Sequence, residues 1–302
     1  MKKWLYGIIL LLLLGYGIVL LQQEGAVERK GVLLYTDETL PQVPDNKQKS
    51  LTIDREEMYR GDLVLVNLQY PVHESAKPSH VINLFENQRL LSGFGVLDNS
   101  IEMPMDMLQR FVDMGESAKA DGVNQFLITS GYRNDESQAA LYEQYGSEYA
   151  NPPGHSEHNL GLSIDIGSSL GLMKDAPEGK WLENNAWQHG FVLRYPEDKR
   201  DITGIQYEPW HFRYVGIPHS AIMMDRGFVL EEYLTFLKKR SRVQAEYNGK
   251  LYTVSYYPFH ENEKLSVPID GSYSLSGNNM DGVIVTTMKS INAFPVKPAT
   301  IK

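Results

Sequence analysis

Residues 156–165 read Ser156-Glu157-His158-Asn159-Leu160-Gly161-Leu162-Ser163-Ile164-Asp165, and further on comes Glu208-Pro209-Trp210-His211. From Leu162 to Ile166 the first stretch alternates like a strand, which puts Asp165 on the face opposite Leu162, Ile164 and Ile166. A chain that turns at Gly161 into that strand can bring His158 and Asp165 to one point. In the second string Pro209 excludes a helix interior, since it lacks the N–H and clashes with the preceding turn. Positions i and i+3 of a regular strand face opposite sides, so Glu208 belongs on an irregular lead-in, able to lean over whatever His211 binds. Together the strings supply two histidines and an aspartate, the ligand set of a catalytic zinc site with one position left open. Glu208 adds a carboxylate that can take the proton of a water acidified by the metal. Each string alone also has an ordinary reading, because a His near an Asp, or a loop Glu near an unrelated His, is commonplace.

The whole chain bounds the possibilities. Its 302 residues hold one catalytic domain of ordinary size plus smaller pieces. The formal net charge is −9 and no basic stripe is visible, which argues against a nucleic-acid partner. The absence of cysteine excludes disulfides, a thiolate nucleophile and a Cys-ligated metal. Lys2 and Lys3 precede an uncharged apolar run from Trp4 to Leu21 with no small-residue cleavage pattern after it. The expectation is a membrane anchor over residues 1–25, single-pass, with a signal peptide cut near Gly25-Ala26 as the alternative; either sends the rest of the chain outside.

Residues 26–55 read as a tether, with Pro41, Pro44 and many charges. A catalytic domain is expected over 56–242, beginning with a strand-like run at Leu63–Asn67. Met107, Phe111, Met114 and Ala118 stripe one face of a helix within 103–122 and are core residues. A strand at 125–129 leads into Ser130-Gly131-Tyr132-Arg133 and a helix over 135–145. Further helices are expected over 181–189, stopped by Gly190, and over 230–240. Two hairpins, one turning at Asn248-Gly249, make 243–302 a small β domain.

Taken jointly and in order, these blocks resemble the VanY-type zinc D-Ala-D-Ala carboxypeptidases. That family carries S-x-H-x-x-G-x-[AS]-x-D and E-x-W-H, matched here by Ser156, His158, Gly161, Ser163 and Asp165, then by Glu208, Trp210 and His211. Upstream, Ser130-Gly131-Tyr132-Arg133 with Gln138 fits S-G-[YF]-R-x-x-x-x-Q. Trp187, Gly190, Phe191, Arg194, Tyr195 and Pro196 fit a further block, so the resemblance spans about 60–240.

The resemblance implies that His158, Asp165 and His211 bind one Zn²⁺, that Glu208 is the general base and later the acid, and that Arg133 stabilises the oxyanion. It implies that Ser156 and Gln138 position the substrate's terminal residue. Gln138 could instead serve a helix cap, and Ser156 a local turn. The implied fold is α+β: a small antiparallel sheet with helices on one side and a zinc groove on the other, plus the C-terminal β appendage. The implied reaction removes D-Ala from peptidoglycan precursor peptides ending in D-Ala-D-Ala, with a role in glycopeptide resistance or equally in housekeeping trimming of the wall. An L,D-carboxypeptidase, a wall endopeptidase, a D-Ala-D-Ala dipeptidase or a non-catalytic zinc-containing wall-binding module stand as alternatives.

Overall fold

The computed structural model describes residues 27–29, 31–35, 48–270 and 272–290. In chain order the strands begin with β1 (Val27–Arg29), β2 (Val32–Tyr35), β3 (Gln48–Ile53), β4 (Ile82–Asn83), β5 (Gly95–Val96) and β6 (Glu102–Met103). Helix α1 (Met105–Ala120), β7 (Phe126–Ser130), α2 (Asp135–Tyr145), β8 (Ser163–Ser168) and α3 (Pro177–Asn185) follow. Then come β9 (Phe191–Leu193), the single turn α4 (Arg200–Thr203), β10 (His211–Tyr214), α5 (His219–Arg226) and α6 (Leu230–Arg240). The chain closes with β11 (Arg242–Tyr247), β12 (Lys250–Pro258), β13 (Glu263–Pro268), β14 (Tyr273–Gly277) and β15 (Gly282–Ser290).

A five-stranded sheet of order β5-β7-β8-β10-β9 carries the two strings. It is antiparallel except for β5 beside β7. The alternation read from the sequence holds: Ile164 and Ile166 are fully buried with Ile128 and Phe212. They pack with the apolar face of α1, where Met107, Phe111, Met114 and Ala118 form the expected stripe. That leaves Asp165 and His211 on the opposite face, and the β8–β10 register sets them directly across from each other. A bulge between Ile128 and Ser130 shifts the β7–β8 register just before the chain leaves for Arg133.

The second sheet, β1-β2-β11-β12-β15-β14, contains both expected hairpins. Asn248 and Gly249 both have positive φ, as a tight two-residue hairpin turn requires. Its inner face packs Val243, Ala245 and Val254 against Tyr233, Leu234 and Leu237 of α6. The same cluster takes in Trp187, Val192 and Val215, so this sheet shares a core with the site-bearing part of the chain.

Three expectations need correction. The first is the single-pass membrane anchor: no helix among the described residues is long and apolar enough to cross a membrane. Residues 1–25, where it was expected, lie outside the described residues. The second is the tether over 26–55. Its described parts are strands: β2 pairs with β11 with Leu34 fully buried, and β3 pairs with β13. Apolar residues of β2 fit a face that the C-terminal hairpin leaves open, a partner invisible from local composition. The third is the strand at 63–67. Leu63, Val64, Leu65 and Val66 are buried, yet their backbone groups are satisfied by side chains and turns rather than by a ladder.

Candidate active site

Three elements deliver the ligand candidates. His158 sits on the 3-10 turn Glu157–Leu160, whose first residue is preceded by Ser156; the Ser156 hydroxyl accepts from the His158 N–H at 3.3 Å. Gly161 ends that turn in the left-handed region at φ +67°, and a Cβ there would lie 2.6 Å from Pro104. The turn can therefore reverse into β8 and lie against Pro104 only with glycine in place. Asp165 follows on β8 and His211 opens β10.

The imidazoles are fixed by their outer nitrogens. His158 Nδ1 donates to the Gly131 carbonyl at 2.5 Å, which leaves the Nε2 lone pair facing inward. His211 Nε2 faces Glu157 Oε2 at 3.4 Å, which leaves Nδ1 facing inward. Asp165 Oδ1 lies 3.3 Å from His158 Nε2 and 3.0 Å from His211 Nδ1, and the two nitrogens are 3.3 Å apart. The edge of a zinc coordination tetrahedron with bonds near 2.0–2.1 Å is about 3.3 Å. Asp165 Oδ1 is buried with no hydrogen-bond partner among the described residues. Three inward electron pairs around one point fit a cation, and the N₂O donor set fits Zn²⁺.

Titration follows from the surroundings. Burial, reinforced by the Arg133 charge, lowers His158 to about 4, so it stays the neutral imidazole a metal needs. Burial also pulls His211 down, but Asp165 and Glu157 outweigh it and hold the ring up to about 9. A metal ion displaces such a proton as it binds. Glu208 is pushed up to about 7, chiefly by burial and only partly offset by His211. Its Oε2 lies 3.7 Å from His211 Nδ1, beside the ligand cluster as the Glu-Pro-Trp-His spacing suggested.

Arg133 reaches the cluster from the other side, its Nη1 3.6 Å from Asp165 Oδ2. Two neighbours hold it: Nε donates to Gln138 Oε1 at 2.9 Å and Nη1 to Ser130 Oγ at 2.9 Å. Gln138 in turn donates to the Asn151 carbonyl at 2.6 Å and is 1% exposed. Gln138 thus braces Arg133, and Asn134 rather than Asp135 caps the helix that carries it. Ser156 is buried, and it lines a small cavity with Gln138, Arg133, His158, Glu208 and His211. An open groove of about 420 Å³ is lined by Arg133, Asp165, Glu208 and His211 on one side and by Leu141, Tyr145, Tyr149 and Trp210 on the other.

Sequence reasoning left one layer unassigned. Glu157, fully buried, accepts from Arg213 Nη1 at 2.7 Å, Arg194 Nε at 2.8 Å and Ser163 Oγ at 3.1 Å while facing His211. Arg194 also forks onto Glu231 at 2.7 and 2.9 Å. Burial raises Glu157, but the two guanidiniums outweigh it and hold the carboxyl well below its usual range. The signal was an arginine inside an otherwise apolar run, Phe212-Arg213-Tyr214-Val215, because a buried guanidinium requires a carboxylate partner.

The VanY family model, described as D-alanyl-D-alanine carboxypeptidase, matches residues 100–217. A D-alanyl-D-alanine carboxypeptidase of Enterococcus faecium is 51% identical over 242 residues, covering 80% of each chain. This chain belongs to the VanY family. A bifunctional D-Ala-D-Ala dipeptidase and carboxypeptidase of Enterococcus gallinarum, VanXYC, is 31% identical over 60% of this chain and 97% of its own. Among solved structures, the vancomycin-resistance D,D-dipeptidase VanXYg in complex with a D-Ala-D-Ala phosphinate analog superposes with a TM-score of 0.69. It is 31% identical, covering 81% of this chain and all of that one. The mixed helix-and-sheet fold expected from the sequence is that of VanY-family peptidases, and the chain is an enzyme of that family.

Proposed function

We propose that the chain is a zinc-dependent D-alanyl-D-alanine carboxypeptidase that removes the terminal D-Ala from peptidoglycan precursor pentapeptides and so contributes to glycopeptide resistance. The observation that carries this reading is the convergence of His158 Nε2, Asp165 Oδ1 and His211 Nδ1 at 3.0–3.3 Å, with Glu208 and Arg133 on the rim of one groove.

In this reading His158, Asp165 and His211 hold the metal. A bound zinc supplies Lewis acidity and makes water acidic enough to attack near neutral pH. Glu208, pushed up to about 7, is poised to take a proton from the attacking water and return it to the departing amine. Arg133, its guanidinium fixed by Gln138 and Ser130, faces the groove where negative charge develops on the scissile carbonyl oxygen. Gln138 and Ser156, which line a small cavity with Arg133, His158, Glu208 and His211, position the substrate's terminal residue, and Gln138 also holds Arg133. The aromatic and aliphatic wall of Tyr145, Tyr149, Leu141 and Trp210 offers the peptide stem an apolar surface.

Relatives named for dipeptidase activity, one of them the VanXYg structure, favour a second reading in which free D-Ala-D-Ala is also cleaved. Incubating the zinc-loaded chain with a pentapeptide ending in D-Ala-D-Ala and with D-Ala-D-Ala, each with and without chelator, separates them. Chelator-sensitive D-Ala release from the pentapeptide alone supports the first reading, and release from both supports the second. No release from either removes both.

A further inference from the structure

The segment Asp62–Val66 is gripped from two sides. Its even-numbered carbonyls, Asp62 O and Val64 O, accept from Arg213 Nη2 at 3.0 and 2.9 Å. Its odd-numbered backbone groups face the turn between β14 and β15. Leu63 N–H donates to Ser276 Oγ at 2.9 Å, and Leu65 N–H to the Asn278 carbonyl at 3.3 Å. The Asn279 amide donates to Leu65 O at 2.9 Å and to Pro71 O at 2.8 Å. The turn is itself rigid, because Asn278 Oδ1 accepts from three successive backbone N–H groups at 2.9–3.0 Å. Side chains alternate likewise. Leu63 and Leu65 enter the core shared with the C-terminal sheet, while Val64 and Val66 pack with Leu160 of the turn that carries His158.

Arg213 is held at every nitrogen: Nε donates to Tyr214 O at 3.0 Å and Nη1 to Glu157 Oε1 at 2.7 Å, and the side chain is fully buried. Glu157 is the group that faces the outer nitrogen of His211. A carboxylate in that place fixes the ring's tautomer and orientation for metal binding. Hydrogen bonds therefore run without a break from the C-terminal sheet to a metal-ligand candidate.

We infer that the Ser276–Asn279 turn is a positioning device for the metal centre, acting through Asp62–Val66, Arg213 and Glu157 on His211. The inference rests on the reading of His158, Asp165 and His211 as metal ligands. It assigns the C-terminal sheet a part in the chemistry although none of its residues lines the groove.

The test compares four versions of the full chain: wild type, Asn279→Gly, Ser276→Ala and Val267→Ala. Asn279 has φ +61°, so glycine keeps the backbone unstrained and removes only the amide bonds. Val267 is fully buried in an apolar cluster of β3, β13 and β15, takes no part in the hydrogen bonds of the turn, and controls for lost stability. The readouts are the zinc dissociation constant, by competition with a chromogenic chelator well below each melting temperature, and the melting temperature of each metal-free chain. Asn279→Gly and Ser276→Ala are expected to weaken zinc about fivefold or more, while Val267→Ala lowers the melting temperature and stays within about twofold of wild type. If Asn279→Gly does not fold, Ser276→Ala carries the same expectation. Wild-type zinc affinity in the turn variants, or equal weakening in Val267→Ala, would overturn the inference while leaving the metal reading intact. A wild-type chain that binds no zinc would overturn both.

Discussion

Gln138 and Arg133, five residues apart, are joined by one hydrogen bond of 2.9 Å from the guanidinium Nε to the amide oxygen. The bond fixes the plane of Arg133, and the Gln138 amide nitrogen donates to Asn151 O. Gln138 therefore supports the guanidinium while also lining a small cavity shared with Ser156, His158, Glu208 and His211. Gln138→Ala is expected to lower kcat about 10- to 100-fold through a misplaced Arg133, with zinc affinity unchanged. Steady-state kinetics beside a zinc titration check this; a change in KM alone would limit Gln138 to direct substrate binding.

Glu208 touches the ligand cluster only at 3.7 Å, so removing its charge leaves the metal ligands in place. Glu208→Gln is expected to retain zinc and lose about 100-fold or more of turnover, the range for loss of a general base. His158→Ala is expected to lose the metal itself. Metal content after dialysis and D-Ala release, measured on both variants, distinguish a base from a ligand.

Glu157 lies between two buried guanidiniums and His211. Glu157→Gln is expected to weaken zinc about 10- to 100-fold, as loss of a ligand's carboxylate partner does. It also leaves buried positive charge uncompensated, at a cost of about 3 kcal/mol or more. Denaturation of the metal-free chain and chelator competition measure the two effects separately. Unchanged zinc affinity would reduce Glu157 to a purely structural role.

His219 offers a pH test remote from the groove. Its ring joins α5 to its surroundings through Tyr233 Oη at 2.7 Å and Thr286 Oγ1 at 3.1 Å, and burial lowers it to about 3. An unfolded histidine titrates near 6.5, so between about 6.5 and 3 the unfolded chain binds a proton that the folded chain refuses. Stability should fall as pH drops through that window, by up to about 1.4 kcal/mol per unit from this group, with no contribution above it. Urea denaturation at pH 7 and about pH 5 should show a smaller loss in His219→Gln; equal losses would assign the acid sensitivity elsewhere.

Local pattern located most elements but could not identify their partners. The helices Met105–Ala120 and Leu230–Arg240 fall where periodicity put them, since one apolar face suffices to define each, and Asp135–Tyr145 falls where expected although Gln138 is its one buried residue. Helix His219–Arg226 gave no comparable signal. It is buried on nearly every side, so it carries no amphipathic stripe to read. The run Leu63–Val66 has strand composition, but composition reports burial and not which groups will satisfy the backbone.

By itself the sequence determined the residue types able to bind a metal, their order and their family, because ligand chemistry needs particular side chains at particular spacings. Tertiary structure alone decided that Asp165 and His211 stand opposite in register, that their inner atoms approach to 3.0 Å, and that Glu157 turns away from the groove to join Arg194 and Arg213. Those contacts close over separations of 37 and 56 residues. Buried charges carry no periodicity, so nothing in the local sequence reveals their partners; packing brings them together, and the cost of burying an unpaired charge keeps them there.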